Sequence, residues 1–216
     1  MRSPGPRKIR WACKPAVHAL LLLPFASLLT GFFTNSLGVN PVESITHTSG
    51  DWALRILLMT LAITPLARLT RSGWMIQFRR LVGLYCFFYV LLHFLTYLLF
   101  DLSFDFGDLL EDIIERPYIT VGFAGFAILF ALAATSTVAI RQRMGRAWTR
   151  LHQAVYAAGI LGVVHFLWIT RVDDTEPFIY GFVLVILLGY RAAKKLQKKR
   201  GRTPGRMFHS QKIRTP

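Results

Sequence analysis

The sequence predicts an all-α integral membrane protein, a six-helix bundle with both termini in the cytoplasm. Three observations predict it. Hydrophobic residues make up 53% of the 216-residue chain and mean hydropathy is +0.42, above the roughly 45–50% apolar content of a soluble domain. Six apolar runs approach the roughly 20 residues a helix needs to cross hydrocarbon. The segments joining them alternate between basic and acidic.

In chain order the expected spans are Val17–Phe33, Trp52–Leu69, Leu81–Phe100, Tyr118–Ile140, Leu151–Thr170 and Pro177–Ala193. These runs are apolar on all faces and lack the alternation of a half-buried strand. Helices also satisfy their own backbone groups in lipid. Trp148 and Trp168 mark the two ends of the fifth span, where an aromatic belt falls. The N-terminus resembles a signal peptide, but Leu28-Leu29-Thr30-Gly31-Phe32 is a poor cleavage site, so the first span is expected to be retained.

Charge orients the spans. Twenty-three of the 26 Lys and Arg fall on the segments of one side. The other side holds Arg116, Arg171 and all eleven acids, with Arg55 inside a span. Lys and Arg accumulate in cytoplasmic loops, so the acidic loops face outward. The net charge of +15 is thus topological, and nucleic acid is not an expected partner. A soluble enzyme, a disordered chain and a disulfide scaffold are excluded. Cys13 and Cys86 both fall toward the reducing side, where a disulfide is not expected. Three segments follow: a basic cytoplasmic N-terminus (1–16), a transmembrane domain (17–193) and a basic tail (194–216). The tail is expected to be disordered and to lie against anionic membrane lipid. No internal repeat or low-complexity segment is evident.

Ionisable groups inside spans are costly and tend to mark function. His93 precedes the outer end of the third span by seven residues, and His165 that of the fifth by five. Both spans run outward, so the two imidazoles share a depth. Two neutral nitrogens facing each other from separate helices can ligate an iron porphyrin. A lone buried histidine is more often a hydrogen-bonded packing residue; the matched pair favours ligation. His152 lies thirteen residues before His165, about 20 Å along a helix and pointing roughly 140° away. That suits a second, inner cofactor. Fourteen residues before His93 stands Arg79, with Arg80 beside it, where a second inner histidine would fall. Arginine favours phosphate or carboxylate, which fits a flavin phosphate, a quinone headgroup or haem propionates as well as plain positive-inside charge. Arg55 could pair with an outer haem propionate or snorkel. Tyr85, Tyr89, His93 and Tyr97 form one stripe on the third helix, which could line a cofactor or simply pack. The acids Asp105, Asp108, Glu111 and Asp112 offer a docking surface for a partner with a basic patch.

The stretches Ile63-Thr64-Pro65-Leu66, Arg79-Arg80-Leu81-Val82-Gly83 through Leu92-His93, Arg116-Pro117-Tyr118-Ile119-Thr120-Val121-Gly122, and Trp148 through Leu151-His152 with His165 carry a family resemblance. The chain resembles the ferric reductase-like transmembrane domain, and within it the MsrQ (YedZ) family of haem-binding membrane subunits. The resemblance covers about Val17 to Ala193. It implies a b-type haem protein of the bacterial inner membrane. Such a protein would pass electrons, from the quinone pool or a flavin donor, to a periplasmic molybdopterin methionine sulfoxide reductase. Flavin mononucleotide is associated with the family, and His93, His152 and His165 match its haem-associated histidines. Larger relatives use two bis-histidine haems and a fused dehydrogenase domain. This chain has Arg79 and Arg80 at the inner position and no G-x-G-x-x-G, so its electrons are expected to come from another molecule. Two other readings compete: a stand-alone ferric-chelate or other metalloreductase, and a non-redox transporter or assembly protein.

Overall fold

The computed structural model describes residues 6–170 and 174–200. Arg171, Asp173, His209 and the tail past Arg200 lie outside the described residues. Six helices are long and apolar enough to cross a membrane, and no strand occurs among the described residues.

Helix α1 (Pro6–Phe33) is followed by α2 (Pro41–Leu69). The second helix starts well before Trp52, where the apolar run begins. Asn40 caps it by accepting from the Glu43 amide, and Pro41 occupies its first turn. Thr46, His47 and Gly50, expected in a loop, therefore stand on a helix. A 3-10 segment (Gly73–Phe78) leads into α3 (Arg79–Thr96), whose end widens into a π-helical turn at Tyr97–Asp101. The acidic third loop is itself a helix, α4 (Phe106–Glu115), capped by the Asp105 carboxylate.

The fourth span is shorter than expected. Helix α5 (Pro117–Ala134) ends early, and Thr137 caps a separate short helix α6 (Val138–Met144). Gly145, at φ +50° and ψ −116°, turns the chain into α7 (Arg146–Leu151), a conformation that favours glycine. The fifth span is then broken. His152–Ala154 is a 3-10 turn, and α8 (Val155–Ile169) resumes after it. Helix α9 (Glu176–Arg200) continues past Ala193, so the first part of the tail expected to be disordered is helical. Lys, Leu and Gln are good helix formers, and the first glycine comes only at Gly201.

Helices α2, α3, α5 and α8 form the centre, with α2 against α3 and α5 against α8 as the closest pairs. Ile56, Leu61 and Tyr89 are fully buried among them. Exposed Leu20 and Leu23 of α1, and Phe182 and Val185 of α9, form an outer apolar surface suited to lipid.

Two prolines create polar fixings inside this bundle. The hydroxyl of Tyr89 donates to the Leu21 carbonyl (2.7 Å) and accepts from the Phe25 amide (3.1 Å). It thus inserts into the α1 ladder beside Pro24, as side chains do at helix irregularities. In α2, Pro65 has no N–H to offer the carbonyl of Leu61. That carbonyl instead accepts from Nη2 of Arg191 on α9, at 2.8 Å. The tyrosine stripe on α3 is accordingly divided: Tyr85 bonds His18 Nδ1 (2.7 Å) and Tyr89 bonds α1, so both serve packing. Cys86 is buried, Cys13 is half-buried, and both are free.

Candidate cofactor site

A cavity of about 850 Å³ lies between α2, α3, α5 and α8 in the acidic half of the bundle, beneath α4. That volume is within the roughly 300–1,000 Å³ of small-molecule sites. His93 from α3 and His165 from α8 line it, their ring centres 6.2 Å apart and their planes at 78°. Matched depth was legible in the sequence; that the rings face each other is a structural finding.

Each ring is held in the same way. His93 Nδ1 donates to the carbonyl of Thr46 at 2.9 Å, and His165 Nδ1 donates to that of Tyr118 at 2.8 Å. A carbonyl can only accept, so the Nδ1 proton is fixed and Nε2 keeps its lone pair free. Gly50 and Gly122 make room for the rings. A β-carbon at Gly50 would meet His93 Nδ1 at 3.1 Å, and one at Gly122 would meet His165 Nδ1 at 2.8 Å.

The two halves follow one plan. In both, 47 residues separate the carbonyl from its histidine. In both, the glycine follows the carbonyl residue by one helical turn (46 and 50; 118 and 122). The expectation of no internal repeat is corrected at this level. The positions repeat at a constant offset while the side chains between them diverge, which hides the pattern from residue-by-residue reading.

The residues suit a metal held in a macrocycle. An iron bonded to both Nε2 atoms at roughly 2 Å, the usual metal–imidazole length, would keep ring centres roughly 6 Å apart. Among the described residues no group of three or more His, Cys, Asp or Glu comes together, so two imidazoles are the donor set available here. Thr46 Oγ1, on the same cavity wall, is buried without a hydrogen-bond partner.

Arg55, expected either to pair with an outer haem propionate or to snorkel, is bonded to its protein neighbours here. Its Nε donates to the Tyr180 hydroxyl at 2.7 Å, and Nη2 lies 3.4 Å from Glu176 and 3.8 Å from Asp51. The side chain ties α2 to α9 and does not line the cavity. A cation that does line it is Arg116, which sequence reasoning missed. Its Nε is 3.1 Å from Asp112, and that carboxylate pushes the Arg116 guanidinium above its ordinary value. Asp112 also accepts from the Tyr97 hydroxyl, joining α4 to α3 over the cavity.

The cavity does not extend to His152. There, the Trp148 ring stacks on the imidazole at 3.9 Å between centres. His152 Nε2 is 3.2 Å from the Thr135 hydroxyl, and Trp148 Nε1 donates to the Thr135 carbonyl at 2.9 Å. Arg79 is half-buried and close enough for its charge to act on His152, whereas Arg80 is exposed. The arginine pair is thus split by the helix, with one member turned inward.

Comparison with known proteins defines the class first. The profile of the family described as ferric reductase like transmembrane component matches residues 49–163, a stretch containing Gly50, His93, Gly122 and His152. A Xanthomonas campestris pv. campestris (strain 8004) protein named protein-methionine-sulfoxide reductase heme-binding subunit MsrQ is 46% identical over 195 residues, 88% of this chain and 89% of its own. The protein of that name from Herminiimonas arsenicoxydans is 45% identical over 189 residues, covering 86% and 87%. The chain belongs to the MsrQ family of multi-pass membrane proteins within the ferric reductase-like class. No solved structure matches it.

Proposed function

We propose that the chain is the haem-carrying electron-transfer subunit of a periplasmic methionine sulfoxide reductase system in the bacterial inner membrane. It takes electrons at its basic, cytoplasmic end and delivers them at its acidic end. The acceptor is a molybdopterin-containing reductase that repairs oxidised periplasmic proteins. The observation that carries the reading is the His93–His165 pair, facing each other at 6.2 Å across the cavity with both Nδ1 atoms bonded to carbonyls.

Haem b is the cofactor these residues fit, and when bound it supplies one-electron chemistry at iron. The chain's part is to fix that chemistry in place. His93 and His165 would hold the haem iron through Nε2, the nitrogen their Nδ1 bonds leave free. The Thr46 and Tyr118 carbonyls hold the ring orientations. Gly50 and Gly122 admit the imidazoles. Two protein ligands would suit the haem to electron passage over oxygen binding.

At the basic end, His152 with Arg79 would hold an inner cofactor (a second haem, flavin mononucleotide or quinone), with Arg80 exposed on the adjacent face. The quinone pool or a flavin donor supplies the electrons. Orientation follows from the concentration of Lys and Arg at that end.

The test is reconstitution in lipid vesicles with a reductant on the basic side and the reductase on the acidic side. The expected result is methionine sulfoxide reduction that depends on His93 and His165. Rapid reduction of ferric chelates with no delivery to the reductase would instead favour a stand-alone metalloreductase.

A further inference from the structure

Of the three buried polar side-chain atoms without a partner among the described residues, Thr46 Oγ1 lines the acidic-half cavity. The other two are Thr64 Oγ1 and Arg191 Nε. Both sit toward the basic end. The methyl of Thr60 packs on Gly83, and α2 and α3 run antiparallel, so Thr64, one turn further along α2, stands at the level of Arg79. Arg191 reaches the same region through the Leu61 carbonyl.

The Arg191 guanidinium is fixed on two sides. Nη2 donates to the Leu61 carbonyl freed by Pro65, and Nη1 donates to the Tyr156 hydroxyl, with the cation over the Tyr156 ring at 4.7 Å from its centre. This leaves Nε, buried and unbonded. Arg68 and Arg79 are close enough for their charges to act on Arg191. Arg191 and Arg79 are half-buried and Arg68 is exposed at this end, and among the described residues none of the three is paired with an acid. A partly buried cation without a counterion is costly, and two fixed bonds prevent Arg191 from extending freely into water. A bound anion would supply the missing counterion.

We infer that Arg191, with Arg79 and Arg68, holds the carboxylate or phosphate of the inner cofactor. The inference rests on the proposal that such a cofactor exists beside His152. It narrows that cofactor's chemistry to one with a formal negative charge, a haem through its propionates or flavin mononucleotide through its phosphate, and argues against quinone as the resident group. The Ile63-Thr64-Pro65-Leu66 stretch gains a physical role: Pro65 frees the carbonyl that aims the clamp, and Thr64 adds a hydroxyl at its level.

The experiment compares wild type, Arg191→Gln, Arg191→Lys and the exposed control Lys194→Gln, purified from membranes as full-length protein. Haem is counted as its pyridine complex, flavin by fluorescence after acid release, and quinone and phospholipid by mass spectrometry. Wild type and Lys194→Gln are expected to hold a second haem or a flavin besides the haem between His93 and His165. Arg191→Gln should hold at least five-fold less of that component while keeping the low-spin spectrum of the other haem. Arg191→Lys keeps the charge without the fork. It should retain the component in dilute buffer and release it in concentrated inorganic phosphate, which settles the matter if Arg191→Gln does not fold. Full retention in Arg191→Gln, retention in Arg191→Lys that phosphate leaves unchanged, or loss of phospholipid alone would overturn the clamp. A wild type with one haem, no flavin and no quinone would overturn the inner cofactor itself. A wild type whose inner component is quinone would overturn only the anionic assignment.

Discussion

Gly122 stands so close to the His165 imidazole that a β-carbon on the glycine would lie 2.8 Å from both Nδ1 and Cε1 of the ring. Contacts below 3.0 Å force something to move. The ring is tied to the Tyr118 carbonyl one turn away on the same helix, so moving it breaks that bond.

Gly122→Ala is therefore expected to displace His165 and convert the low-spin haem to a mixed or high-spin form. Overpacking costs about 1–3 kcal/mol, enough to lower haem retention about ten-fold. Gly50→Ala meets its ring at 3.1 Å and should act in the same direction but more weakly. Visible and electron paramagnetic resonance spectra of the two variants check the order; an unchanged Gly122→Ala spectrum would refute it.

Partner docking on the acidic face needs a finer choice of residues than the acid cluster suggests. Asp105 caps α4, and Asp112 holds Tyr97 and Arg116. Losing the cap alone costs about 1 kcal/mol. Asp108, Glu111 and Glu115 are exposed and make no such side-chain bond, although Asp108 and Glu111 stand at the rim of the cavity. Neutralising these three should slow delivery to the reductase several-fold at low salt and flatten its salt dependence, with the haem spectrum unchanged. Delivery equal to wild type at low salt would remove this docking surface.

Arg79 and Arg80 are expected to differ. Arg79 is half-buried beside His152 and Arg80 is exposed. Arg79→Gln should slow reduction of the outer haem by a donor at least ten-fold while leaving that haem bound. Arg80→Gln alone should change it less than two-fold. Stopped-flow absorbance at the haem bands separates them, and equal effects would show that the helix face does not matter.

The number of spans, their class and the shared depth of His93 and His165 were legible because hydropathy and position along a span determine them. Helix ends were not. Asn40 and Pro41 begin α2 within a polar stretch, and the acids of the third loop belong to a helix. The roles of Thr46 and Tyr118 are carried by backbone carbonyls, which no side-chain pattern reveals. The paired spacing of Gly50 with His93 and Gly122 with His165 was present in the sequence, and searching for equal intervals between glycines and histidines would have found it. Arg191 looked like ordinary flanking charge. Its setting depends on a carbonyl freed in another helix by Pro65.

The measurement that tests the central claim most directly is the low-temperature electron paramagnetic resonance and visible spectrum of His93→Ala, His165→Ala and His152→Ala, with haem counted per protein. His93 and His165 face each other across the cavity, and His152 lies beyond its lining. The account predicts that the first two variants each lose the outer low-spin signal or the haem itself, and that His152→Ala keeps that signal. A His93→Ala protein with full haem occupancy and an unaltered low-spin spectrum would contradict it.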